Sequence, residues 1–140
     1  METTMPILNV SVSAHPDAAL SERIANELSE LTSSILHKDP AVTSVAITYI
    51  APENWIVGGK SLASQTRNSF WLDIKVTAGT NTKSEMADYI DAVFRMMGGV
   101  LGALHDTSYT VVHEVPAAAW GFAGKTQEHR FVAGRIKGAA

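Results

Sequence analysis

Apolar and polar residues alternate along four stretches of the chain, and apolar residues recur at helical spacing between the first two stretches and between the last two. Alternation with a period of two is typical of strands with one buried face, and recurrence every three or four residues is typical of amphipathic helices. The pattern therefore predicts strand, helix and strand, twice in succession. The strands are expected at 5–14, 42–50, 70–76 and 109–115, and the helices at 17–38 and 82–101.

A repeated segment follows the last strand of each set. Pro52–Lys60 and Pro116–Lys125 both contain a proline, a tryptophan three or four residues later, a glycine four residues after the tryptophan, and then a lysine. A repeat of this length indicates two copies of one β-α-β unit. Unit one is predicted at 5–65 and unit two at 69–130, within a single domain spanning 1–140 in which residues 1–4 form an N-terminal extension.

Two such units predict an α/β fold of the α+β type, with a four-stranded sheet and two helices on one of its faces. Right-handed crossovers make the paired strands within each unit parallel. The other face of the sheet stays uncovered and carries several apolar residues. We therefore expect a homo-oligomer that buries this face.

Composition excludes several classes of function. The net charge is −3 without a cluster of Lys or Arg, which argues against a nucleic-acid partner. The chain has no cysteine, and its five histidines form no metal-binding motif, so neither a metal nor another cofactor is expected. No signal peptide and no apolar stretch of membrane-spanning length is visible, so the sequence predicts a cytoplasmic protein without a membrane partner.

Three short motifs give the chain a family resemblance. They are Met5-Pro6-Ile7 at the start of the first strand, Val42-Thr43-Ser44-Val45 at the start of the second, and Asn54–Gly59 at the end of unit one. In this order the chain resembles the tautomerase superfamily, which includes 4-oxalocrotonate tautomerase, over residues 5 to about 130. The resemblance implies a trimer, a small-molecule substrate and an active site at an amino-terminal proline.

Pro6 is the catalytic residue that this resemblance implies. A terminal proline is a secondary amine, and burial lowers the pKa of an amine so that it can act as a general base near pH 7. In this chain Met5 precedes Pro6, and an acylated proline nitrogen has no basic lone pair. We therefore expect the active form to begin at Pro6, after a start at Met5 and removal of that residue. A genuine extension at 1–5 is the alternative.

The carboxylate-binding arginines of the family are absent from the aligned positions, which hold His15, Ala46, Thr80 and Thr110. His15 or Lys75 is the expected replacement, although a turn or a solvent-facing position also explains each of them. Arg67 and Arg130 are predicted surface residues, with a role in a neighbouring subunit's pocket as the alternative. The pocket wall is expected to be aromatic, from residues that could equally serve as core or interface anchors: Trp55, Phe70, Trp120 and Phe122.

The sequence thus predicts a tautomerase that uses Pro6, once freed, as general base on a small enol or 2-oxo acid. Without the arginines, monoacids with an aromatic group are expected to react better than a diacid. One alternative is a non-catalytic trimeric binding protein of the same fold. Another is a dehalogenase-like or hydratase-like member, in which the protonated amine assists hydration.

Overall fold

The computed structural model describes residues 5–139, so the extension predicted at 1–4 lies outside the described residues. It contains eight strands and four α-helices within this range. In chain order they are β1 (Ile7–Val12), α1 (Ala18–Leu36), β2 (Ser44–Tyr49), β3 (Ile56–Val57), β4 (Lys60–Ser61), α2 (Leu62–Gln65), β5 (Phe70–Thr77), α3 (Lys83–Leu101), β6 (Tyr109–Val115), β7 (Gly121–Phe122), β8 (Lys125–Thr126) and α4 (Gln127–Ala139).

The main sheet has four strands in the order β2-β1-β5-β6. β1 pairs parallel with β2, and β5 pairs parallel with β6, as the crossover helices require. The two units meet through an antiparallel pair between β1 and β5, in which Asn9 lies opposite Asp73. The predicted α+β fold of two fused units is therefore confirmed, and the central pair relates the units by a pseudo-twofold axis.

α1 and α3 cover one face of the sheet, and the alternating apolar residues of β1 and β5 fill the space beneath them. Eleven of the largest fully buried side chains belong to these four elements: Leu8, Val10, Val12, Ile24, Leu28, Leu36, Phe70, Leu72, Ile74, Tyr89 and Met97. The two helices also share one polar contact, between the hydroxyls of Thr32 and Tyr89 at 2.8 Å. Burial raises the pKa of the Tyr89 phenol to about 12, since the charged form would lie in the core.

Both long helices begin at capping residues that the sequence indicates. The Asp17 carboxylate accepts hydrogen bonds from the backbone N–H groups of Ala19 and Leu20. Thr82 and Glu85 form the predicted capping box, in which each side chain accepts from the other's backbone N–H. The hydrogen bond from the Thr82 backbone is the largest cause of the lowered pKa of Glu85.

Each unit ends in a small hairpin followed by a helix. The hairpin of unit one turns at Gly58 and Gly59, whose φ angles of 63° and 80° lie in the left-handed region that favours glycine. α2 then lasts four residues, whereas its counterpart α4 runs for thirteen. α4 is a difference from the sequence analysis, which gave the last residues no helix.

No helix of the described residues 5–139 covers the second face of the sheet, and we call it the open face. Ile7, Trp71, Tyr109 and Val111 project from it and are partly exposed. Near its centre Asp73 accepts a hydrogen bond from Lys75 at 3.4 Å, and its carboxylate lies 3.0 Å from the His113 Nε2 atom. Among the described helices, none combines the length and the hydropathy that crossing a bilayer would require.

Candidate functional site

Because β1 and β5 run antiparallel, the loops that follow β1 and β2 lie at one end of the sheet, and the loops that follow β5 and β6 lie at the other end. Ile7 pairs with Lys75, so the start of β1 lies beside the end of β5. Thr77 in turn pairs with Val115, so the hairpin of unit two and α4 also follow at this end. We call it the Pro6 end. The opposite end, where Val12 pairs with Phe70, is the His15 end.

An open cleft of about 940 Å³ lies at the Pro6 end. One wall is Met5 with the loop after β5, and the other is formed by α4 and the segment before β7. The lining residues are Met5, Thr77, Ala78, Gly79, Thr80, Ala117, Gln127, Glu128, Arg130, Phe131, Val132, Gly134 and Arg135. The cleft therefore lies directly in front of the residue that precedes Pro6.

Pro6 itself is buried, and its carbonyl accepts a hydrogen bond from the backbone N–H of Ser44 at 3.3 Å. Met5 is only 7% exposed. The Gln127 amide, on the first residue of α4, donates to the Met5 sulfur at 3.2 Å. In the described chain Met5 thus acylates the proline nitrogen and also holds the base of α4.

The cleft carries an excess of positive charge. Arg130 and Arg135 of α4 line it, against the single carboxylate of Glu128. The Arg130 guanidinium lies 4.6 Å from the centre of the Phe122 ring, which orients it. Just behind the wall, the buried Lys38 ammonium donates to the Thr80 hydroxyl at 2.8 Å. This arrangement favours an anionic ligand in a chain whose net charge is −3.

Thr77 contributes an unusual polar atom to the same wall. The residue is 7% exposed, and its hydroxyl has no hydrogen-bond partner among the described residues. A buried hydroxyl without a partner costs about 1–3 kcal/mol. The hydroxyl oxygen itself is buried and is not exposed to the cleft.

Three of the residues predicted for the site lie at or toward the Pro6 end. The Trp120 carbonyl accepts from the Gln127 backbone N–H at 2.8 Å, so Trp120 holds the start of α4. Phe122 contacts the cleft through Arg130. Lys75 lies two residues before Thr77 but projects from the open face, where it pairs with Asp73 at 3.4 Å.

The other three predicted residues lie at the His15 end, and within one chain they do not meet Pro6. The His15 side chain is largely exposed and lies 3.9 Å from Glu53, just before Trp55. Six residues of β1 separate this end from Pro6, which is about 20 Å of strand. Phe70 is 1% exposed and packs on Phe94 in the core, so within the single chain it does not line the cleft at the Pro6 end.

Sequence reasoning missed Thr77, Gln127 and Arg135 as lining residues of the cleft, and Lys38 behind its wall. Gln127 could have been found from the repeat, because it stands where unit one has the buried Leu62. Arg135 lies in a stretch with too few apolar residues to predict a helix. Thr77 carried no signal, since a threonine at the end of a strand is ordinary. Within the described part of the chain, no three His, Asp or Glu residues come together as metal ligands.

Comparison with solved structures identifies the fold. Native fused 4-OT matches with a TM-score of 0.77 at 21% identity, over 88% of this chain and 97% of that chain. A Q0 fused 4-OT, a wild-type symmetric trimer, matches with a TM-score of 0.75 at 20% identity, over 87% and 96% of the two chains. Pt0534 inactivated by 2-oxo-3-pentynoate matches with a TM-score of 0.77 at 13% identity, over 89% and 98%. No protein-family model and no curated protein matches the sequence.

Proposed function

We propose that this chain, which has the fold of fused 4-OT, is an enzyme that moves a proton within a small enol or 2-oxo acid. Pro6 is the base once its nitrogen is free. The observation that carries this proposal is the position of Pro6. It is buried at the start of β1, beside a cleft that is open to solvent and lined by Arg130 and Arg135.

The chemistry requires a proline with a free secondary amine. The neutral amine takes the enol hydroxyl proton and returns a proton to the substrate carbon, so atoms and charge balance over one turnover. Burial and nearby cations both favour the neutral amine near pH 7. The arginines hold the substrate carboxylate while the proton moves. With Met5 attached, the nitrogen belongs to an amide and none of these steps can start.

The test compares the chain that starts at Pro6 with the 1–140 chain, using phenylenolpyruvate as substrate. A positioned general base contributes roughly 10²–10⁴-fold, so the Pro6-started protein is expected to be faster by about that factor. A Pro6-started Pro6→Ala variant is the control, because it keeps a terminal amine but loses the secondary one. Equal rates for the 1–140 and Pro6-started chains would sink the proposal.

An independent readout is covalent labelling. Pt0534 is inactivated by 2-oxo-3-pentynoate, an electrophilic 2-oxo acid. A free Pro6 amine is expected to add across the alkyne, forming one C–N bond while its proton passes to carbon. Intact mass should then rise by the full mass of one reagent in the Pro6-started protein and stay constant in the 1–140 chain. Labelling that maps to a lysine instead would contradict the assignment of Pro6.

The same cleft supports a second candidate, a binding protein without catalysis. The observation in its favour is the position of Met5. This residue is buried, accepts a hydrogen bond from the Gln127 amide and is attached to the proline nitrogen. Such a protein would bind a small carboxylate in the 1–140 form and would gain no activity when shortened to Pro6. The two assays above distinguish it from the enzyme.

We also propose that the chain assembles as a trimer through its open face. Partly exposed Trp71, Tyr109 and Val111 on that face support the proposal, as does the trimeric Q0 fused 4-OT with the same fold. Light scattering is expected to give three times the chain mass for wild type and a lower mass for Val111→Glu. Ile90→Glu, at an exposed position of α3, is the matched control and is expected to keep the wild-type mass. A wild-type monomer at micromolar concentration would contradict the trimer.

A further inference from the structure

A small charged cluster lies in the middle of the open face, and we infer from it that acid weakens the contact between copies of this chain. The cluster consists of Asp73, Lys75 and His113. One carboxylate oxygen of Asp73 lies 3.4 Å from the Lys75 Nζ atom and 3.0 Å from the His113 Nε2 atom. The switch is the protonation of His113. This inference rests on the proposed trimer, which buries the open face, and is independent of the proton transfer proposed for Pro6.

The strand register places the three side chains next to one another. Lys75 pairs with His113 across β5 and β6, and Asp73 pairs with Val111 one step away. When His113 is protonated, two like charges therefore lie directly opposite each other, which destabilises a strand pair. Asp73 supplies one negative charge, which Lys75 already balances. The cluster is thus neutral while His113 is neutral, and it has a surplus positive charge once His113 binds a proton.

Nothing else on this face of the described sheet can balance that surplus. The other open-face positions of the four strands hold uncharged side chains: Ile7, Asn9, Ser11, Ser44, Ala46, Thr48, Trp71, Thr77, Tyr109, Val111 and Val115. The one phenol among them is neutral below about pH 9. Glu114 follows His113 in β6, but by strand alternation it belongs to the helix-covered face, and it accepts from the Gly79 backbone N–H at 3.4 Å.

The charged cluster belongs to unit two alone. When the core leucines of β1 and β5 are aligned, Asn9 is the equivalent of Asp73. Ser11 is likewise the equivalent of Lys75. When the open faces of two copies meet, the cluster of one copy therefore faces either a neutral half or a second copy of the same cluster. Neither arrangement brings an unbalanced carboxylate to His113.

The direction of the pH effect follows from this composition. Assembly removes water from the cluster and adds no negative charge to it, and desolvation disfavours the charged form of an imidazole. His113 therefore binds a proton more weakly in the assembled state than in the free chain. A proton that prefers the free chain shifts the equilibrium toward it. Assembly is thus strongest at about pH 8, above the range in which histidine changes its charge, and weakens as the pH falls toward about 5.

The experiment is light scattering on a dilution series of the 1–140 chain at pH 8 and at pH 5.5, with circular dichroism to follow folding under both conditions. The concentration at which half of the chains are assembled is expected to be at least about tenfold higher at pH 5.5, the effect of one pKa unit of differential proton binding. His113→Gln keeps a hydrogen-bonding side chain without a titrating charge, and should assemble equally at both pH values. Asp73→Asn leaves Lys75 without its counter-charge and should weaken assembly already at pH 8.

His37→Asn is the matched control. His37 also lies close to a carboxylate, at 3.1 Å from Glu85, but at the end of α1 rather than on the open face. Asparagine tolerates the left-handed backbone of this position, whose φ is 59°. This variant is expected to keep the full pH dependence of wild type.

Three results would overturn the inference and leave the trimer in place. They are equal assembly of wild type at both pH values, a pH dependence that persists in His113→Gln, and a loss of assembly at pH 5.5 that accompanies unfolding. A wild-type monomer at pH 8 would overturn the trimer and this inference together. The activity assays on the Pro6-started chain decide the proposed proton transfer separately.

Discussion

The two ends of the sheet carry the same repeated segment, and the two copies differ in the residue and the helix that follow the hairpin. In unit one the Leu62 backbone N–H donates to the Trp55 carbonyl at 2.8 Å, and in unit two Gln127 donates to Trp120 at the same distance. Ser61 and Thr126 then cap the following helices in the same way. The backbone is thus conserved between the units, whereas the buried side chain is a leucine at one end and a glutamine at the other.

This difference separates a filled end from an end with a large cleft. Leu62 is fully buried at the His15 end, and Thr66 with a φ of 53° stops α2 there. Gln127 instead contacts Met5, and α4 continues past the equivalent position to form a cleft wall with two arginines. The two copies of one scaffold therefore differ in whether the segment after the hairpin fills the core or borders a cleft.

The largest expected effect comes from truncating the two equivalent buried side chains. Leu62→Ala opens a cavity in the core and is expected to lower the free energy of unfolding by about 2–5 kcal/mol. Gln127→Ala removes one hydrogen bond to a sulfur, and its cost should be at most about 1.5 kcal/mol. Urea unfolding of both variants measures the contrast. Equal costs would show that the Gln127 contact is as much a part of the core as Leu62.

Tyr89 offers a comparison between the equivalent helices, since unit one has Ile24 in its place and both are fully buried. The folded pKa of Tyr89 is about 12, above its ordinary value of 10.0. Its contribution to stability is therefore complete below pH 10 and is lost as the pH rises toward 12, by at most about 1.4 kcal/mol per pH unit. Between pH 9 and 12, the free energy of unfolding should fall less steeply with pH for Tyr89→Phe than for wild type. Equal slopes for the two proteins would contradict the raised pKa of Tyr89.

Ser13 and Thr77 provide a third contrast, because the Ser13 hydroxyl has hydrogen-bond partners and the Thr77 hydroxyl has none among the described residues. Ser13→Ala leaves the Ser69 backbone N–H buried without an acceptor, so the expected loss is about 1–3 kcal/mol. Thr77→Val should cost nothing beyond about 0.5 kcal/mol and could stabilise the fold, because no bond is lost. Thermal unfolding without ligand is the measurement. A large loss in Thr77→Val would reveal a partner for its hydroxyl.

The helix caps give the smallest expected difference. Asp17→Ala and Thr82→Ala each remove an N-cap and should each cost about 1 kcal/mol. Glu85 strengthens only the cap of α3, and its lowered pKa means that this contribution is present above pH 4.5 and declines as the pH falls below it. Glu85→Ala should therefore be less costly at pH 3 than at pH 7, which urea unfolding at the two pH values measures. The cost of Asn26→Ala, an exposed change inside α1, is the baseline for both.

Most of the fold could be predicted because its signals are local. The period-two strands, the capping box at Thr82 and the glycine turn at Gly58 all depend on neighbours in the chain. α4 was missed because its stretch has few apolar residues. It is capped from outside by the hairpin, through the Thr126 hydroxyl that accepts from the His129 backbone N–H at 2.9 Å.

Only part of the candidate site could be predicted from the sequence. A repeat in the sequence shows that two units exist, but it does not show in which direction their inner strands pair. The antiparallel pairing of β1 with β5 places the hairpin of unit two beside Pro6 and carries His15 and Trp55 to the far end. It also brings Arg135, far away in the chain, to the cleft. Trp120 and Phe122, by contrast, belong to the segment that follows β6 and lie where the repeat suggested.

The central pairing of β1 with β5 also determines how the molecule opens. Both strands are paired on each side, whereas β2 and β6 lie at the edges of the sheet. Amide protons of the inner strands should therefore exchange with solvent only when the whole domain unfolds, and those of the edges through smaller openings. A chain cut between Gln65 and Phe70 would yield two fragments that each expose one unpaired inner strand. The exposed β1 of one fragment can pair with the exposed β5 of the other, so the two fragments should reassociate into one cooperative unit.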